Sequence, residues 1–148
     1  MNSNHGVGVA IIKQDKILLV KHGESAGQIT GIYGIPAGRL EDGETDKQAA
    51  VRELKEETGF ILAEKDLVEY PNNLYRGKYE RKDGVTPEVT LHVFAVKNFI
   101  GELTSSDETE PGWVDISLLD TYYLLPNIKQ IAEDVTRFWT SQNDDVFI

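Results

Sequence analysis

The sequence predicts an α/β fold in which helices pack on both faces of a mixed β-sheet. Short runs of β-branched and other apolar residues, bounded by Gly and Pro, are typical of strands, and they occur in both halves of the chain. Two further segments have the composition or the apolar spacing of helices. Strands interleaved with two helices favour an α/β/α sandwich.

The N-terminal part of the chain indicates a β-hairpin followed by a third short strand. Residues 6–13 and 16–21 are apolar runs separated by Gln14-Asp15, which predicts a tight turn. Residues 32–38 (IYGIPAG) then form a short predicted strand that ends at its proline and glycine.

A helix is predicted from Thr45 to Thr58. The segment DKQAAVRELKEET consists mainly of strong helix formers. Thr45 is a suitable N-cap, and Gly59 can adopt the left-handed conformation that commonly ends a helix.

The C-terminal half is predicted to contain two strands, a loop and a second helix. The strands are expected at 66–79 and 87–97, and a polar loop at 102–112. Apolar residues after Asn127 recur at the spacing of an amphipathic helix, namely at Ile128, Ile131, Val135 and Phe138. No repeat or linker is visible, so we expect residues 1–148 to form one domain.

Composition excludes several classes of function. The net charge of −10 argues against a polymeric nucleic acid as partner, since phosphate binding requires clustered Lys and Arg. The absence of cysteine excludes disulfides, thiolate nucleophiles and Cys-based zinc sites. No signal-peptide pattern or run of about 20 apolar residues is present, so we expect a cytoplasmic protein with no membrane partner.

Three carboxylates on the predicted helix form a candidate metal site. At 3.6 residues per turn, Glu53, Glu56 and Glu57 lie within an arc of about 100°. Like charges at this spacing destabilise a helix unless a cation offsets them, and divalent cations such as Mg²⁺ prefer carboxylate oxygens. The alternative interpretation of the three glutamates alone is a solvated, charged helix face.

The surrounding residues favour the metal site, because residues 38–60 resemble the Nudix box G-x5-E-x7-R-E-U-x-E-E-x-G-U at every specified position. The resemblance implies a Nudix-type α/β/α sandwich and a Mg²⁺-dependent hydrolase of pyrophosphate bonds, with Mn²⁺ as a possible substitute. The matching residues are Gly38, Glu44, Arg52, Glu53, Leu54, Glu56, Glu57, Gly59 and Phe60.

The resemblance also implies roles for single residues. Glu53, Glu56 and Glu57, with the Gly38 carbonyl, would hold the metal ions, and Arg52 would orient Glu53 through two parallel hydrogen bonds. Glu44 lies just before the helix start, a position that suits orienting the carboxylates or interacting with the positive end of the helix dipole; the alternative is a simple acidic residue at a helix start. Glu53 is the first choice for the general base.

A second source of carboxylates is the acidic loop SSDETEPGW. Nudix enzymes often supply a further metal ligand or base from a loop in this place. Glu108 is preferred for that role and Glu110 comes second; the alternative is an ordinary polar loop.

The resemblance leaves the substrate open among nucleoside triphosphates, ADP-sugars and dinucleoside polyphosphates. The motif Pro-Ala-Gly before the box resembles ADP-sugar pyrophosphatases, whereas Tyr75 resembles dinucleoside polyphosphate hydrolases. Tyr33 or Tyr75 could stack on a base. The basic residues that could bind phosphate, or alternatively be solvated, are Arg39, Arg76, Lys78 and Arg81.

A different class of function is a Nudix-fold module that senses a nucleotide without cleaving it. Such modules usually have damaged boxes, whereas every acidic position is present here, so we expect catalysis. Family members are often dimers, which makes a homodimer the expected assembly. The three histidines lack metal-ligand spacing and are expected to be structural.

Overall fold

The computed structural model describes residues 4–142, and within that range nine strands and two α-helices are present. The strands are β1 (His5–Ala10), β2 (Ile12–Lys13), β3 (Lys16–His22), β4 (Tyr33–Gly34), β5 (Ala37–Arg39), β6 (Leu67–Val68), β7 (Leu74–Lys78), β8 (Glu88–Val96) and β9 (Thr109–Asp115). The helices are α1 (Asp46–Thr58) and α2 (Ile128–Ser141), with short 3₁₀ helices at Glu64–Asp66 and Ile116–Thr121.

The described strands form two sheets. In the five-stranded sheet the order is β5-β1-β8, and both β6 and β7 pair with the other side of β8. The β1–β8 pair is parallel and the other pairs are antiparallel, so this sheet is mixed, as predicted. The second sheet is antiparallel and consists of β2, β3, β4 and β9. In it, β2, β4 and β9 each pair with β3. The α/β prediction is confirmed, but it did not include the second sheet.

Two predicted strands pass from one sheet to the other. The predicted hairpin turn is present, with Gln14 at φ 58°, but only the end of segment 6–13 pairs with β3. Segment 32–38 divides into β4 and β5 on either side of Pro36, which lacks an N–H for sheet pairing. The Pro36 carbonyl accepts a hydrogen bond of 2.9 Å from the Val9 amide.

The predicted strand at 66–79 is interrupted in the structure. It divides into β6 and β7 at a turn that contains Pro71 and Asn72, and Asn72 has a φ of 59°. The Asn73 side chain donates to the Val93 carbonyl at 3.0 Å and so bridges the gap beside β8. Turn residues therefore overrode the strand pattern.

The predicted polar loop at 102–112 is wrong in its last part, because Thr109–Asp115 forms β9. Seven residue pairs join β9 to β3, and they include Pro111 opposite Val20. Backbone pairing with an apolar neighbouring strand does not require apolar side chains, and proline is tolerated at a sheet edge. This pairing places the acidic loop beside α1, since the Thr109 hydroxyl donates to the Glu57 carbonyl at 3.3 Å.

Helix α1 begins and ends as predicted. Thr45 accepts a hydrogen bond from the Gln48 amide, and the Gln48 side chain accepts from the Thr45 amide, which completes a capping box. Gly59 ends the helix at φ 85°. A Cβ at Gly59 would lie 2.5 Å from the Thr104 hydroxyl and 2.7 Å from the Glu102 carbonyl oxygen, so both conformation and space require glycine.

Alternation along the strands separates two apolar cores, one for each helix. In β8, Leu91 and Val93 face the core under α2, whereas Phe94 faces the core that contains Leu54 of α1. Ile128, Ile131 and Val135 of α2 are buried as predicted, but Phe138 is only partly buried and the adjacent Trp139 is buried instead. Helices thus pack on opposite sides of the strands.

No helix within residues 4–142 is long and apolar enough to cross a membrane.

Candidate active site

Four carboxylates line one cavity of about 770 Å³. Three come from α1 and the fourth comes from the loop that precedes β9. The residues that line the cavity are Gly27, Gln28, Ala37, Arg39, Glu53, Glu56, Glu57, Arg81, Ser106, Glu108 and Thr109. The structure therefore brings together all three helix glutamates and Glu108 from the predicted site.

Gly38 leaves the space that the Glu53 carboxylate occupies in the site. A Cβ at Gly38 would overlap with the carboxyl group of Glu53. Gly38 lies in β5 opposite Val7 of β1, so the carboxylate lies directly against the backbone of the sheet. Any side chain at this position would displace Glu53.

Arg52 connects the carboxylate of Glu44, just before α1, with two carboxylates on α1. Its Nε and Nη2 donate to the two oxygens of Glu44 at 2.7 and 2.8 Å. Its Nη1 donates to Glu53 at 2.8 Å and to Glu56 at 3.1 Å, and Nη2 also donates to the Arg39 carbonyl at 2.9 Å. The two parallel hydrogen bonds that were expected for Glu53 thus go to Glu44, and Glu53 accepts a single hydrogen bond from Arg52.

These ion pairs change the acidity of Glu44. Hydrogen bonds from the Arg52 side chain and from the Glu41 amide lower the pKa of Glu44 to about 2. Glu44 therefore stays ionised and fixes the guanidinium that contacts Glu53.

Burial has the opposite effect on two of the helix glutamates. It raises the pKa of Glu57 to about 8, although the Ala37 amide donates to Glu57 Oε1 at 2.8 Å and lowers it in part. Burial also raises the pKa of Glu53 and outweighs the ion pair with Arg52. Two neighbouring carboxyl groups with raised pKa values indicate a site in which added positive charge would be favourable.

The chemistry of these side chains fits a hard divalent cation. Carboxylate oxygens are the ligands that Mg²⁺ and Mn²⁺ prefer, and a bound cation would favour the ionised form of both buried carboxyl groups. Within residues 4–142, no three acidic or histidine side chains already converge as a finished coordination shell. Such ions usually keep several waters and complete their shell with substrate phosphate, so a partial protein shell is consistent with them.

Glu108 lies at the cavity through backbone pairing of its loop. The Gly23 amide donates to the Glu108 carbonyl at 2.8 Å, and the Glu108 amide donates to the Ser106 hydroxyl oxygen at 3.2 Å. Glu110, the second choice from the sequence, does not line this cavity and lies instead in a neighbouring one.

A narrow apolar slot of about 100 Å³ adjoins the acidic cavity. The two spaces share the four lining residues Gln28, Ala37, Arg39 and Arg81. The slot is otherwise lined by Gly6, His22, Ile35, Gly38, Tyr79, Pro87, Val89, Leu91 and Leu125. An acidic cavity that opens into an apolar slot suits a ligand with one charged and one apolar end.

Several residues of the slot were not identified from the sequence. Gln28 lies in the glycine-rich segment, and Tyr79 lies just after β7; burial raises the pKa of Tyr79 to about 12. Neither residue carries a local motif. Their proximity depends on the antiparallel contact between Gln28 and Arg81, two residues far apart in the chain.

Four candidate substrate-binding residues from the sequence lie outside both spaces. Tyr33 packs edge-on against Tyr122, with ring centroids 4.9 Å apart. Tyr75 is buried, and its hydroxyl donates to Asp134 of α2 at 2.7 Å. Arg76 is exposed on the other face of β7. Lys78 is the fourth, whereas Arg39 and Arg81, the remaining candidates, line both the acidic cavity and the slot.

The histidines take part in structural hydrogen bonds. His22 is buried, which lowers its pKa, and its Nδ1 lies 2.9 Å from the Ile32 carbonyl oxygen. His5 and His92 both contact Asp46 Oδ2 at the start of α1, at 3.0 and 2.6 Å. These contacts agree with the structural role expected from the sequence.

Known proteins resemble this chain in sequence and in fold. An oxidized purine nucleoside triphosphate hydrolase of Danio rerio is 36% identical over 132 residues, which are 88% of this chain and 74% of that protein. An ADP-ribose pyrophosphatase of Methanocaldococcus jannaschii is 36% identical over 125 residues, covering 84% of this chain and 63% of that protein. A MutT NUDIX hydrolase from Burkholderia pseudomallei has the same fold, with a TM-score of 0.73, 24% identity, and coverage of 91% and 99%.

The family model described as NUDIX domain matches residues 3–137, which is most of the chain. The two curated relatives are named as a hydrolase and a pyrophosphatase. With the acidic helix, its cavity and the fold in agreement, the chain belongs to the Nudix hydrolase family.

Proposed function

We infer that this protein hydrolyses a pyrophosphate bond in a nucleoside diphosphate derivative with the help of Mg²⁺, which Mn²⁺ can replace. The observation that carries this proposal is the cavity that Glu53, Glu56, Glu57 and Glu108 line beside an apolar slot. The carboxylates suit a metal-chelated phosphate chain, and the slot suits the nucleoside.

The proposed metal ligands are Glu53, Glu56 and Glu57, with the Gly38 carbonyl, and Glu108 is a candidate for a further ligand. A divalent cation at these oxygens supplies positive charge that polarises the phosphoryl group and makes water a stronger nucleophile. Hydrolysis of an anhydride needs this because negative charge gathers on the phosphoryl oxygens as the P–O bond breaks.

Glu53 is the proposed general base. A water oxygen attacks phosphorus, the bridging P–O bond breaks, the leaving phosphate departs with the bonding pair, and Glu53 takes the proton from the water. Burial raises the pKa of Glu53, and a cation bound at these carboxylates would lower it again. Arg52 holds the carboxylate through a hydrogen bond of 2.8 Å and is therefore a positioning residue.

The slot bears on the substrate class. Its apolar lining suits a nucleobase, and its volume of about 100 Å³ leaves the sugar and the phosphates to the larger cavity. Three substrate classes fit this arrangement, namely nucleoside triphosphates, ADP-sugars and dinucleoside polyphosphates. The named activities of the two relatives add an oxidised purine triphosphate and ADP-ribose as specific candidates.

The test is phosphate-product analysis with a nucleotide panel. Purified protein, with Mg²⁺ or Mn²⁺, is incubated with nucleoside triphosphates, an oxidised purine triphosphate, ADP-ribose and a dinucleoside polyphosphate. Glu57→Gln serves as the paired variant because it removes one charge from the cavity with little change in volume. Exposed Glu133→Gln on α2 serves as the matched control.

Metal-dependent turnover by the parent and by Glu133→Gln, with a loss of at least about 100-fold in Glu57→Gln, supports the proposal. Binding of nucleotides without turnover under any metal would instead favour a nucleotide sensor. We further expect a cytoplasmic homodimer that does not bind polymeric nucleic acid, and light scattering tests the assembly.

A further inference from the structure

Arg81 lies where the acidic cavity and the apolar slot meet. Its side chain lines both spaces and is only partly exposed. Among the hydrogen bonds and ion pairs of residues 4–142, none involves its guanidinium, whereas Arg52 uses all three of its nitrogens. A partly buried guanidinium without such a partner is available for an oxyanion.

Two loops fix the backbone of Arg81. Arg81 pairs with Gln28 in an antiparallel bridge, and the adjacent Lys82 amide donates to the Gly27 carbonyl at 3.1 Å. The Lys82 ammonium also donates to the Gly23 and Glu24 carbonyls, at 3.1 and 2.6 Å. The side chain of Arg81 is therefore presented from a braced position rather than from a free loop.

Gly27 makes room for the guanidinium. A Cβ at Gly27 would overlap with Nη2 of Arg81, so the planar group lies directly against the Gly27 backbone. Gly27 does not have a positive φ, which means that its conformation alone does not require glycine. The contact with Arg81 supplies a reason for glycine at this position.

The position identifies the chemistry of the ligand. Residues that line both spaces would contact the part of a ligand that joins its apolar and charged ends. In a nucleotide that part is the sugar and the nucleoside-proximal phosphate. We propose that Arg81 is a substrate-binding residue that recognises the nucleoside-proximal phosphate at this junction. The proposal rests on the proposed function.

The test compares the binding of nucleotides and nucleosides without metal, so that turnover does not enter. Adenosine and guanosine 5′-monophosphates and the two nucleosides are titrated calorimetrically into the parent, Arg81→Ala, Arg81→Lys and Gly27→Ala. Arg137→Ala is the matched control, because Arg137 is an exposed arginine on α2 whose ion pair is with Asp134. Circular dichroism verifies that each variant is folded.

Loss of the charge-assisted hydrogen bonds should weaken monophosphate binding about 10-fold to 100-fold in Arg81→Ala and leave nucleoside binding unchanged. Gly27→Ala should weaken monophosphate binding as well, since the new Cβ would displace the Arg81 guanidinium without removing its charge. Arg81→Lys should recover part of the affinity, because it keeps the charge and loses the planar fork. For any nucleotide that the parent hydrolyses, KM should rise more than kcat falls.

Three results would overturn the proposal: equal monophosphate affinity in parent and Arg81→Ala, equal losses for nucleotide and nucleoside, or no preference of the parent for the nucleotide. The proposed function is judged separately. A parent that cleaves nothing in the panel but loses monophosphate affinity on Arg81→Ala would refute hydrolysis and keep the assignment of Arg81.

Discussion

At the scale of single residues, Arg52 shows how neighbours in sequence differ from partners in space. It is adjacent to Glu53, yet its paired hydrogen bonds go to Glu44, eight residues earlier. That arrangement leaves Nη1 to contact Glu53 and Glu56 together. One guanidinium therefore holds three carboxylates, with a geometry that a lysine could not reproduce.

Asp46 is the centre of a second cluster, which fixes the start of α1 to the sheet. His5 of β1 and His92 of β8 both contact its Oδ2, and His92 Nε2 also lies 2.8 Å from Glu69. Burial raises the pKa of Asp46, but the hydrogen bonds with His92 and His5 outweigh it and the pKa is lowered. Burial lowers the pKa of His92, and here the bonds to Asp46 and Glu69 prevail, so that the pKa is raised.

His92→Gln should therefore destabilise the protein in a pH-dependent way. Because the folded-state pKa of His92 lies above its unfolded value, its ion pairs stabilise the fold below the unfolded pKa. This contribution is lost as pH rises through the folded pKa. Urea unfolding of parent and variant should show a larger difference in free energy of unfolding at about pH 5.5 than at about pH 9.

The control for this prediction is the same substitution in an Asp46→Asn background, where the pH-dependent part should shrink because one carboxylate partner is gone. An identical cost of His92→Gln at both pH values would mean that packing against Phe94, with ring centroids 4.2 Å apart, explains its role instead.

At the scale of elements, the two ends of α1 determine where the carboxylates lie. The capping box fixes the first turn, and Gly59 turns the chain away at a point crowded by Thr104 and Glu102. Leu54 of α1 is fully buried against the sheet and fixes the rotation of the helix about its axis. The acidic face is directed to the cavity because the apolar face must pack on the sheet.

Gly59→Ala should be more destabilising than Gly43→Ala. Both glycines have a φ of 85°, so each substitution carries a similar backbone strain of about 1–2 kcal/mol. Only at Gly59 would the new Cβ also contact Thr104 and Glu102, whereas nothing lies within 4 Å at Gly43. Denaturant unfolding measures both, and equal costs would show that the crowding at the helix end relaxes freely.

At the scale of the whole molecule, charge and topology act together. The net charge of −10 is spread over the chain, but four carboxylates gather in one cavity because β9 pairs with β3 and carries the acidic loop to α1. Repulsion within this cavity opposes folding unless a cation is bound. Binding of a divalent ion should therefore be coupled to stability.

Addition of MgCl2 should raise the melting temperature of the parent beyond the effect of NaCl at equal ionic strength. A ligand present at 100 times its Kd adds about 2.7 kcal/mol to the free energy of unfolding. Without metal, Glu57→Gln should be as stable as the parent or more so, since burial raises the pKa of this carboxyl to about 8. In MgCl2 its melting temperature should rise less.

Glu133→Gln, exposed on α2, removes the same charge away from the cavity and should respond to MgCl2 as the parent does. An equal rise in all three proteins would indicate general screening rather than a site.

The sequence by itself determined the local features of this protein. The box places its carboxylates on one face of α1, and Thr45 and Gly59 define the bounds of that helix, because capping and helical periodicity act over a few residues. The turn at Gln14 and the buried face of α2 follow from similarly local patterns.

Only the tertiary structure decided which distant residues meet. From their residue type, Tyr33 and Tyr75 were candidates for stacking on a nucleobase. Strand pairing instead places Tyr75 in the core under α2 and Tyr33 against it. Gln28, Tyr79 and Arg81 line the slot because two loops pair across more than fifty residues of chain. Such pairings depend on sheet register and on burial summed over the whole fold, which no short segment of sequence encodes.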